Sequence, residues 1–153
     1  MVKEIHFKSM IAMKKLIIIL LVWLCAEIAS AQNSLTFEIT GVKKNGGKLY
    51  ISLFNSGQSF DERKIYYSTS TNATAETVCM PIALPAGEYV ISMYQDWNGN
   101  AKLDSNFLGI PREPFGFSNY GGKSAPGNFD KLKVMVNDKT KKITVHLYKI
   151  YTN

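Results

Sequence analysis

From residue 32 onward, the chain is a series of short runs in which apolar and polar side chains alternate, separated by turn-forming residues. An apolar residue at every second position places those side chains on one face of a β-strand. The apolar members of the clearest runs are Leu35, Phe37 and Ile39; Leu49, Ile51 and Leu53; Tyr89, Ile91 and Met93; Leu132, Val134 and Val136; and Ile143, Val145 and Leu147. Residues 77–84 form a further apolar run, and a sustained helical period is absent. The pattern predicts an all-β sandwich of about seven strands.

The segments between these runs predict how the strands are joined. Asn45 and Gly46 tolerate positive φ angles, so we expect a hairpin between the first two strands. Residues 55–75 are polar and indicate a long crossover with a short helix near residues 61–66. The fourth main strand is followed by residues 106–128, whose Gly, Pro and aromatic residues predict a long, ordered, irregular loop.

Residues 1–31 have the order of a secretory signal peptide. Lys14 and Lys15 supply positive charge, residues 16–25 are apolar, and residues 29–31 read Ala-Ser-Ala, a small-x-small cleavage site. A membrane span needs roughly 20 apolar residues, so this run is too short to remain as an anchor. We expect residues 1–31 to be removed and residues 32–153 to form one domain that is periplasmic, outer-surface or secreted.

Composition limits the function classes. The full chain carries 18 Lys and Arg against 12 Asp and Glu, a net charge of +6, and residues 32–153 retain +4. The basic residues are scattered, so we expect no nucleic-acid partner. Residues 32–153 hold one histidine, His146, predicted to face solvent, and one cysteine, Cys79, predicted to be buried. Without a second histidine or a paired cysteine, neither a catalytic triad nor a zinc cluster is indicated. We predict a non-catalytic protein.

The most specific motif begins at the end of the fourth main strand. Oxygen-bearing side chains occupy relative positions 1, 3, 5 and 9 of one stretch: Asp96, Asn98, Asn100 and Asp104. The backbone carbonyl of Lys102 is available at position 7. A short loop in which alternate residues point inward surrounds Ca²⁺ in this way. Two carboxylates offset the charge of the ion, and two amides add oxygens without further repulsion. We therefore expect a Ca²⁺ site in this 96–104 loop.

Two other interpretations of the loop stay open. Asp, Asn and Gly are favoured in tight turns, so the stretch is also typical of a turn without a metal. Asp96 and Asp104 also resemble the paired carboxylates of a hydrolase. Their position in one polar loop favours a shared cation over an acid–base pair.

Aromatic residues near the loop indicate a second kind of site. Trp97 lies in a polar turn and is expected to project, and with Tyr94 and Tyr120 it would offer stacking platforms for a carbohydrate. The alternative is that the aromatic rings of residues 106–120 cover the open end of the sandwich, because a long irregular loop needs side chains to hold it in place.

The chain resembles a family of short exported bacterial proteins, the domain of unknown function numbered 2141. The resemblance rests on residues 89–96, 98–100, 102–104, 106–111 and 115–119, and it spans residues 35–147. It implies an envelope or secreted location and an immunoglobulin-like or transthyretin-like sandwich, without an established activity. Family members often carry Gly where this chain has Ala101, which implies a slightly different turn here.

The sequence thus predicts an exported, non-catalytic β-sandwich module whose Ca²⁺-stabilised loop presents a binding surface. A carbohydrate-binding module with exposed aromatic residues and an accessory domain of an envelope assembly are the alternatives. The expected partner is a protein or a glycan at the cell envelope.

Overall fold

The computed structural model describes residues 13–15 and 32–150. The chain divides into two units, Met1–Ala31 and Gln32–Asn153, and the sandwich belongs to the second. Of the first unit, only residues 13–15 are described, and they are helical. The rest of the predicted signal peptide, including its apolar run and cleavage site, lies outside the described residues.

Eight strands and two short helices form the described part of the second unit. The strands are β1 (Gln32–Thr40), β2 (Lys48–Phe54), β3 (Tyr67–Asn72), β4 (Val78–Pro85), β5 (Gly87–Asp96), β6 (Phe115–Phe117), β7 (Val134–Val136) and β8 (Lys142–His146). The helices are α1 (Gly57–Asp61) and α2 (Phe129–Leu132). The all-β prediction is confirmed, with one strand more than the expected seven. Strands β3 and β6 lie in segments that the sequence predicted as irregular.

The strands form two sheets. One sheet has the order β4-β1-β8, in which β1 is antiparallel to β4 and parallel to β8. The other has the order β3-β2-β5-β6, and all of its neighbours are antiparallel. The start of β5 also pairs with β7, whereas its end pairs with β6. Strand β5 is therefore the strand on which the larger sheet is assembled.

The apolar positions predicted from the alternation lie between the two sheets, except for Leu132. The predicted strand is wrong at this residue, because Leu132 ends helix α2 and packs in a second cluster. Buried side chains from both sheets form one cluster: Leu35, Phe37, Ile39, Leu49, Ile51, Leu53, Val78, Ile82, Leu84, Tyr89, Ile91, Met93, Val136, Ile143 and Val145. Burial of this apolar surface is the main favourable term in folding. The two-sheet arrangement with this shared core confirms the sandwich.

The predicted hairpin between β1 and β2 is wrong. Asn45 has a φ of +59°, as the turn requires, but β1 and β2 belong to different sheets. The connection passes from one sheet to the other and is fixed by the buried side chain of Gln95. Its Oε1 accepts from the Lys43 N–H at 2.9 Å, and its Nε2 donates to the carbonyls of Lys43 and Gly46 at 2.7 and 3.0 Å. Turn chemistry predicts the local φ angle, whereas sheet membership depends on long-range pairing.

The short helix of the polar segment begins earlier than expected. Helix α1 ends at Asp61 instead of starting near it, because Ser56 caps its first turn. The Ser56 hydroxyl accepts from the Ser59 N–H at 3.1 Å, and the Ser59 hydroxyl accepts from the Ser56 N–H at 3.2 Å. This reciprocal capping box satisfies two backbone donors at the helix start.

The predicted burial of Cys79 is also wrong, because this thiol is exposed. Cys79 lies in β4, where Val78, Ile82 and Leu84 face the core. The period of two therefore places Cys79 on the outer face. Its apolar neighbours in the sequence favoured burial, but the strand period determines the direction of the side chain.

A second apolar cluster covers the outer face of the larger sheet. It joins α1 and α2 to the sheet and consists of Phe54, Val90, Phe129 and Leu132, with Phe60, Phe117 and Tyr120 partly buried against them. The buried Ser118 connects its segments, because its Oγ donates to the Leu132 carbonyl at 2.6 Å and accepts from the Ile91 N–H at 3.0 Å. Several aromatic side chains of the long loop therefore pack against the sandwich.

The two sheets are joined at one corner by backbone hydrogen bonds. The Phe115 N–H donates to the Tyr148 carbonyl at 3.0 Å, and the Tyr148 N–H donates to the Phe115 carbonyl at 2.8 Å. This approach depends on Gly116, because a Cβ at that position would collide with the His146 carbonyl oxygen. These bonds therefore fix the end of the long loop at the point where it enters β6.

We expect Gly116→Ala to destabilise the fold by about 1–3 kcal/mol, as overpacking against rigid backbone does. Gly121→Ala is the matched control, since a Cβ there meets nothing within 4 Å. Urea unfolding, monitored by tryptophan fluorescence, measures the free energy of unfolding of both variants. Equal midpoints for the two variants would contradict the close approach of β6 and β8.

Candidate functional site

The 96–104 loop begins at the end of β5, inside regular sheet. Asp96 is the last residue of β5 and lies opposite Lys48 of β2. Gly47 lies so close to it that a Cβ at Gly47 would collide with the Asp96 carbonyl oxygen. The first residue of the loop is therefore fixed by the sheet.

The Asp96 carboxylate organises the first half of the loop. Its Oδ1 accepts from the N–H groups of Gly99 and Asn100 at 2.7 and 3.3 Å, and its Oδ2 accepts from the Ala101 N–H at 2.9 Å. The Asp96 side chain is buried, with 1% of the residue exposed. Ala101 adopts a φ of +59°, the left-handed region in which glycine is usual. The chain therefore makes the sharp turn at this position without a glycine.

The second half of the loop converges on Asp104. The side-chain amides of Asn98 and Asn100 donate to its carboxylate, at 2.5 Å for Asn98 and 3.1 Å for Asn100. The Asn98 Oδ1 in turn accepts from the Asn100 N–H at 3.1 Å, and the Asn100 Oδ1 accepts from the Lys102 N–H at 2.8 Å. The structure thus brings together four of the five residues that the spacing predicted as ligands.

The fifth predicted ligand is the backbone carbonyl of Lys102. This oxygen accepts no hydrogen bond from residues 32–150, and the Lys102 side chain is exposed. Within the same described residues, no group of three or more His, Cys, Asp and Glu side chains is placed to share a metal. The oxygen atoms of the loop come from two carboxylates, two side-chain amides and backbone carbonyls, which are all types of ligand that Ca²⁺ accepts.

Glu113 also belongs to the candidate site, although the spacing of residues 96–104 does not indicate it. Its carboxylate is buried, with 4% of the residue exposed, and it accepts from the Trp97 N–H at 2.7 Å and from the Asp104 N–H at 3.1 Å. It therefore ties the start of the loop to its end. An acidic residue between two prolines, Pro111 and Pro114, was the available sequence signal, but spacing alone does not reveal a clamp across nine residues.

Tyr94 contacts the loop from the outer face of β5. Its hydroxyl donates to the Ala101 carbonyl at 2.9 Å, and its ring stacks on Tyr50 with centroids 5.2 Å apart. Burial, followed by the negative charge of Asp96, raises the pKa of the Tyr94 phenol above its ordinary value. Tyr94 thus holds the turn at Ala101 and has one ring face against Tyr50.

Trp97 lines an open groove of about 820 Å³ beside the loop. The ammonium groups of Lys43 and Lys149 lie 4.7 and 4.0 Å from the centroid of its ring, which are cation–π distances. The indole Nε1 is buried and has no hydrogen-bond partner among the described residues. The ring is partly exposed, so Trp97 projects less freely than the sequence predicted.

The three aromatic residues predicted as ligand contacts take different structural roles. Tyr120 packs in the outer cluster, with ring centroids 5.9 Å from Phe115 and 5.5 Å from Tyr148. No ring contact joins Tyr120, Tyr94 and Trp97 to one another within residues 32–150. A shared stacking platform stays a prediction.

His146 is exposed, as the alternation predicted. Its Nδ1 lies 2.8 Å from the Thr40 hydroxyl, and its ring lies 4.6 Å from that of Tyr148. The described contacts of His146 include no carboxylate to orient it as a catalytic base. The loop itself combines carboxylate and amide oxygens with backbone N–H groups that Asp96 and the two asparagines accept.

The described helices are all too short or too polar to cross a membrane. The fold and the loop define an all-β sandwich with an oxygen-rich loop at the end of its longest strand. The family model described as "Uncharacterized protein conserved in bacteria (DUF2141)" matches residues 37–144, and the chain belongs to this family. No curated protein and no solved structure matches the chain.

We expect Glu113→Ala to destabilise the protein by about 2–4 kcal/mol, because it leaves two backbone N–H groups without their charged acceptor. Glu113→Gln should have a smaller effect, since its amide retains one acceptor oxygen. Asp130→Ala is the matched control. Its carboxylate is exposed and pairs with Lys133 at 2.9 Å, and such surface pairs contribute about 0–1 kcal/mol. Chemical unfolding measures all three variants, and equal losses for Glu113→Ala and Asp130→Ala would contradict the clamp.

Proposed function

We propose that the protein is an exported, non-catalytic module of the bacterial cell envelope, whose 96–104 loop binds Ca²⁺ and thereby holds the following segment as a binding surface. The observation that carries the proposal is that the loop gathers two side-chain amides around one carboxylate, since the amide N–H groups of Asn98 and Asn100 both donate to Asp104. Asp96 fixes the backbone of the same loop. The loop therefore has its ordered form before a cation arrives.

The oxygen atoms of the loop retain the capacity to bind a cation. A carbonyl or amide oxygen has two lone pairs, and Asn98 Oδ1 and Asn100 Oδ1 each accept one described backbone N–H. The Asp104 carboxylate faces only amide donors in the described contacts. Ca²⁺ would be a stronger electrostatic partner for Asp104 than those neutral amides are.

A cation at Asp104 would stabilise the segment that follows it. The Asp104 carbonyl accepts from the Arg112 N–H at 2.8 Å, and the Asp104 N–H donates to Glu113. Asp104 is therefore the point at which the loop, the buried clamp and residues 105–112 meet. Ca²⁺ bound there would reduce the motion of all three parts.

The alternatives have less support from the geometry. A carbohydrate that stacks on Trp97 has to share the ring with two lysine ammonium groups. A hydrolase would need Asp96 to exchange protons, yet three backbone N–H groups occupy its carboxylate. An accessory role in an envelope assembly is compatible with a calcium-stabilised surface, and the partner would then be a protein or glycan.

We expect Ca²⁺ to raise the melting temperature of the purified protein, because a ligand that binds only the folded state stabilises it by mass action. At about a hundredfold excess over Kd, the gain is about 2.7 kcal/mol, or roughly 5–15 °C for a domain of this size. Differential scanning fluorimetry in CaCl₂, in MgCl₂ and in chelator measures the effect.

The matched variants are Asp104→Ala and Asp138→Ala. Asp138 is an exposed acidic residue in the turn between β7 and β8, so its variant should keep the full response to Ca²⁺. Asp104→Ala should lose it. Identical melting temperatures of the unaltered protein in Ca²⁺ and in chelator would remove the cation from the proposed function.

Export has a separate test. We expect the protein that accumulates in its cell to begin at Gln32, because a signal peptidase cleaves after a small-x-small sequence. Ala31→Arg should block this cleavage, whereas Ser30→Gln, at the tolerant middle position, should leave it intact. Intact-mass measurement distinguishes the cleaved chain from the uncleaved one. If the protein without substitutions accumulates uncleaved, export by this route is refuted.

A further inference from the structure

Residues 104–112 form a small, well-ordered hairpin that projects from the loop. Ser105 pairs with Pro111 across it, and Asn106 fixes its end. The Asn106 Oδ1 accepts from the N–H groups of Leu108 and Ile110 at 3.0 and 2.9 Å, and the Asn106 carbonyl accepts from the Gly109 N–H at 2.9 Å. The end of the hairpin therefore has a defined conformation.

This hairpin carries two adjacent apolar side chains that the fold does not bury. Phe107 is 93% exposed and Leu108 is 67% exposed, the highest values among the large apolar side chains that the structure describes. We name this pair the apolar tip. A single exposed apolar residue is ordinary on a protein surface. Two adjacent ones on an ordered projection indicate a surface that another molecule covers.

The acidic and basic side chains close to the apolar tip in the sequence differ in their exposure to solvent. Of the two acidic side chains of residues 102–113, Glu113 is buried, and Asp104 is half-buried and accepts hydrogen bonds from the asparagines of the loop. The positive side chains of Lys102 and Arg112 are exposed. The exposed charged side chains of residues 102–113 are therefore both basic, although the segment contains two acidic and two basic residues. Arg112 lines the same groove as Phe107, together with Lys149.

We propose that the apolar tip inserts into the interface of an anionic lipid bilayer, with Lys102 and Arg112 against the lipid headgroups. A convex pair of apolar side chains needs no matching pocket in a fluid interface, whereas a protein partner would have to supply one. Basic residues near an anionic membrane surface each add to binding, and apolar side chains add by their burial. This inference rests on the proposed function, because the hairpin is part of the surface that the loop holds.

Vesicle sedimentation of the exported protein tests the proposal. The probe is vesicles of phosphatidylcholine with roughly one third phosphatidylglycerol, compared with pure phosphatidylcholine. We expect the protein to bind the anionic vesicles, and the variant Phe107→Ser with Leu108→Ser to bind at least about tenfold more weakly. Both replaced side chains are exposed, so the melting temperature should stay unchanged.

Two controls distinguish insertion of the apolar tip from nonspecific adsorption to the vesicles. Met135→Ser removes another exposed apolar side chain, 55% exposed on β7, and should bind as the unaltered protein does. The variant Lys102→Gln with Arg112→Gln should lose the preference for anionic over neutral vesicles. The unaltered protein and all variants have the same N-terminus, so a difference in vesicle binding comes from the substituted side chains.

Two results would overturn the inference. One is sedimentation of the unaltered protein that is the same with and without anionic vesicles. The other is equal binding by the unaltered protein and the Phe107→Ser, Leu108→Ser variant. Repeating the sedimentation in Ca²⁺ and in chelator distinguishes a failure of the membrane inference from a failure of the proposed cation site. A melting temperature that ignores Ca²⁺, together with binding that depends on the apolar tip, would remove the cation and keep the membrane contact.

Discussion

Two buried carboxylates fix the backbone of the loop region, which lies between the regular strands and is not held by strand pairing of its own. Asp96 accepts three backbone N–H groups, and Glu113 accepts two more. Buried backbone donors without partners are costly, so a segment without strand pairing needs acceptors of another kind. A carboxylate is suited to this because it accepts several bonds and each charge-assisted bond is strong. The groove, the hairpin and the candidate cation site all depend on these five bonds.

The same inward orientation determines the charge of the surface. Acidic side chains that bind backbone donors are removed from the exterior, and the basic side chains next to them remain exposed. Arg112 is such a neighbour of Glu113, and Lys102 is exposed in the same way beside the contact of Asn100 with Asp104. A local sequence that is balanced in charge thus exposes its basic side chains more than its acidic ones, and one of them, Arg112, lines a groove with Phe107. Composition alone would not have indicated this surface.

Most of the fold could be predicted because alternation is a local signal. The runs that became β1, β2, β4, β5, β7 and β8 place their apolar residues in the core, apart from Leu132 at the start of the β7 run, which ends a helix. Strand β3 was missed because its Ser and Thr residues are largely exposed at a sheet edge, and β6 because it has only three residues. The expected β1–β2 hairpin failed because sheet membership is not local, and Cys79 because composition was given more weight than period.

The candidate site was predicted only as far as its contacts are close in sequence. Asp96, Asn98, Asn100 and Asp104 meet because their spacing suits one tight loop. Glu113 reaches back to Trp97 over sixteen residues, a contact that follows from the path of the hairpin. Local spacing therefore predicted which side chains meet in this loop, but not the Glu113 carboxylate that holds its backbone.

The two interpretations of the loop, a bare turn and a calcium site, are connected by the same hydrogen bonds. Asp96 uses three of the roughly four acceptor positions of a carboxylate on backbone N–H groups. These bonds form a stable turn without a metal, and they also fix the backbone from which Asn98 and Asn100 reach Asp104. Binding to a loop already ordered loses little conformational entropy. A strong turn and a cation site are therefore not competing structures, since the first lowers the free-energy cost of forming the second.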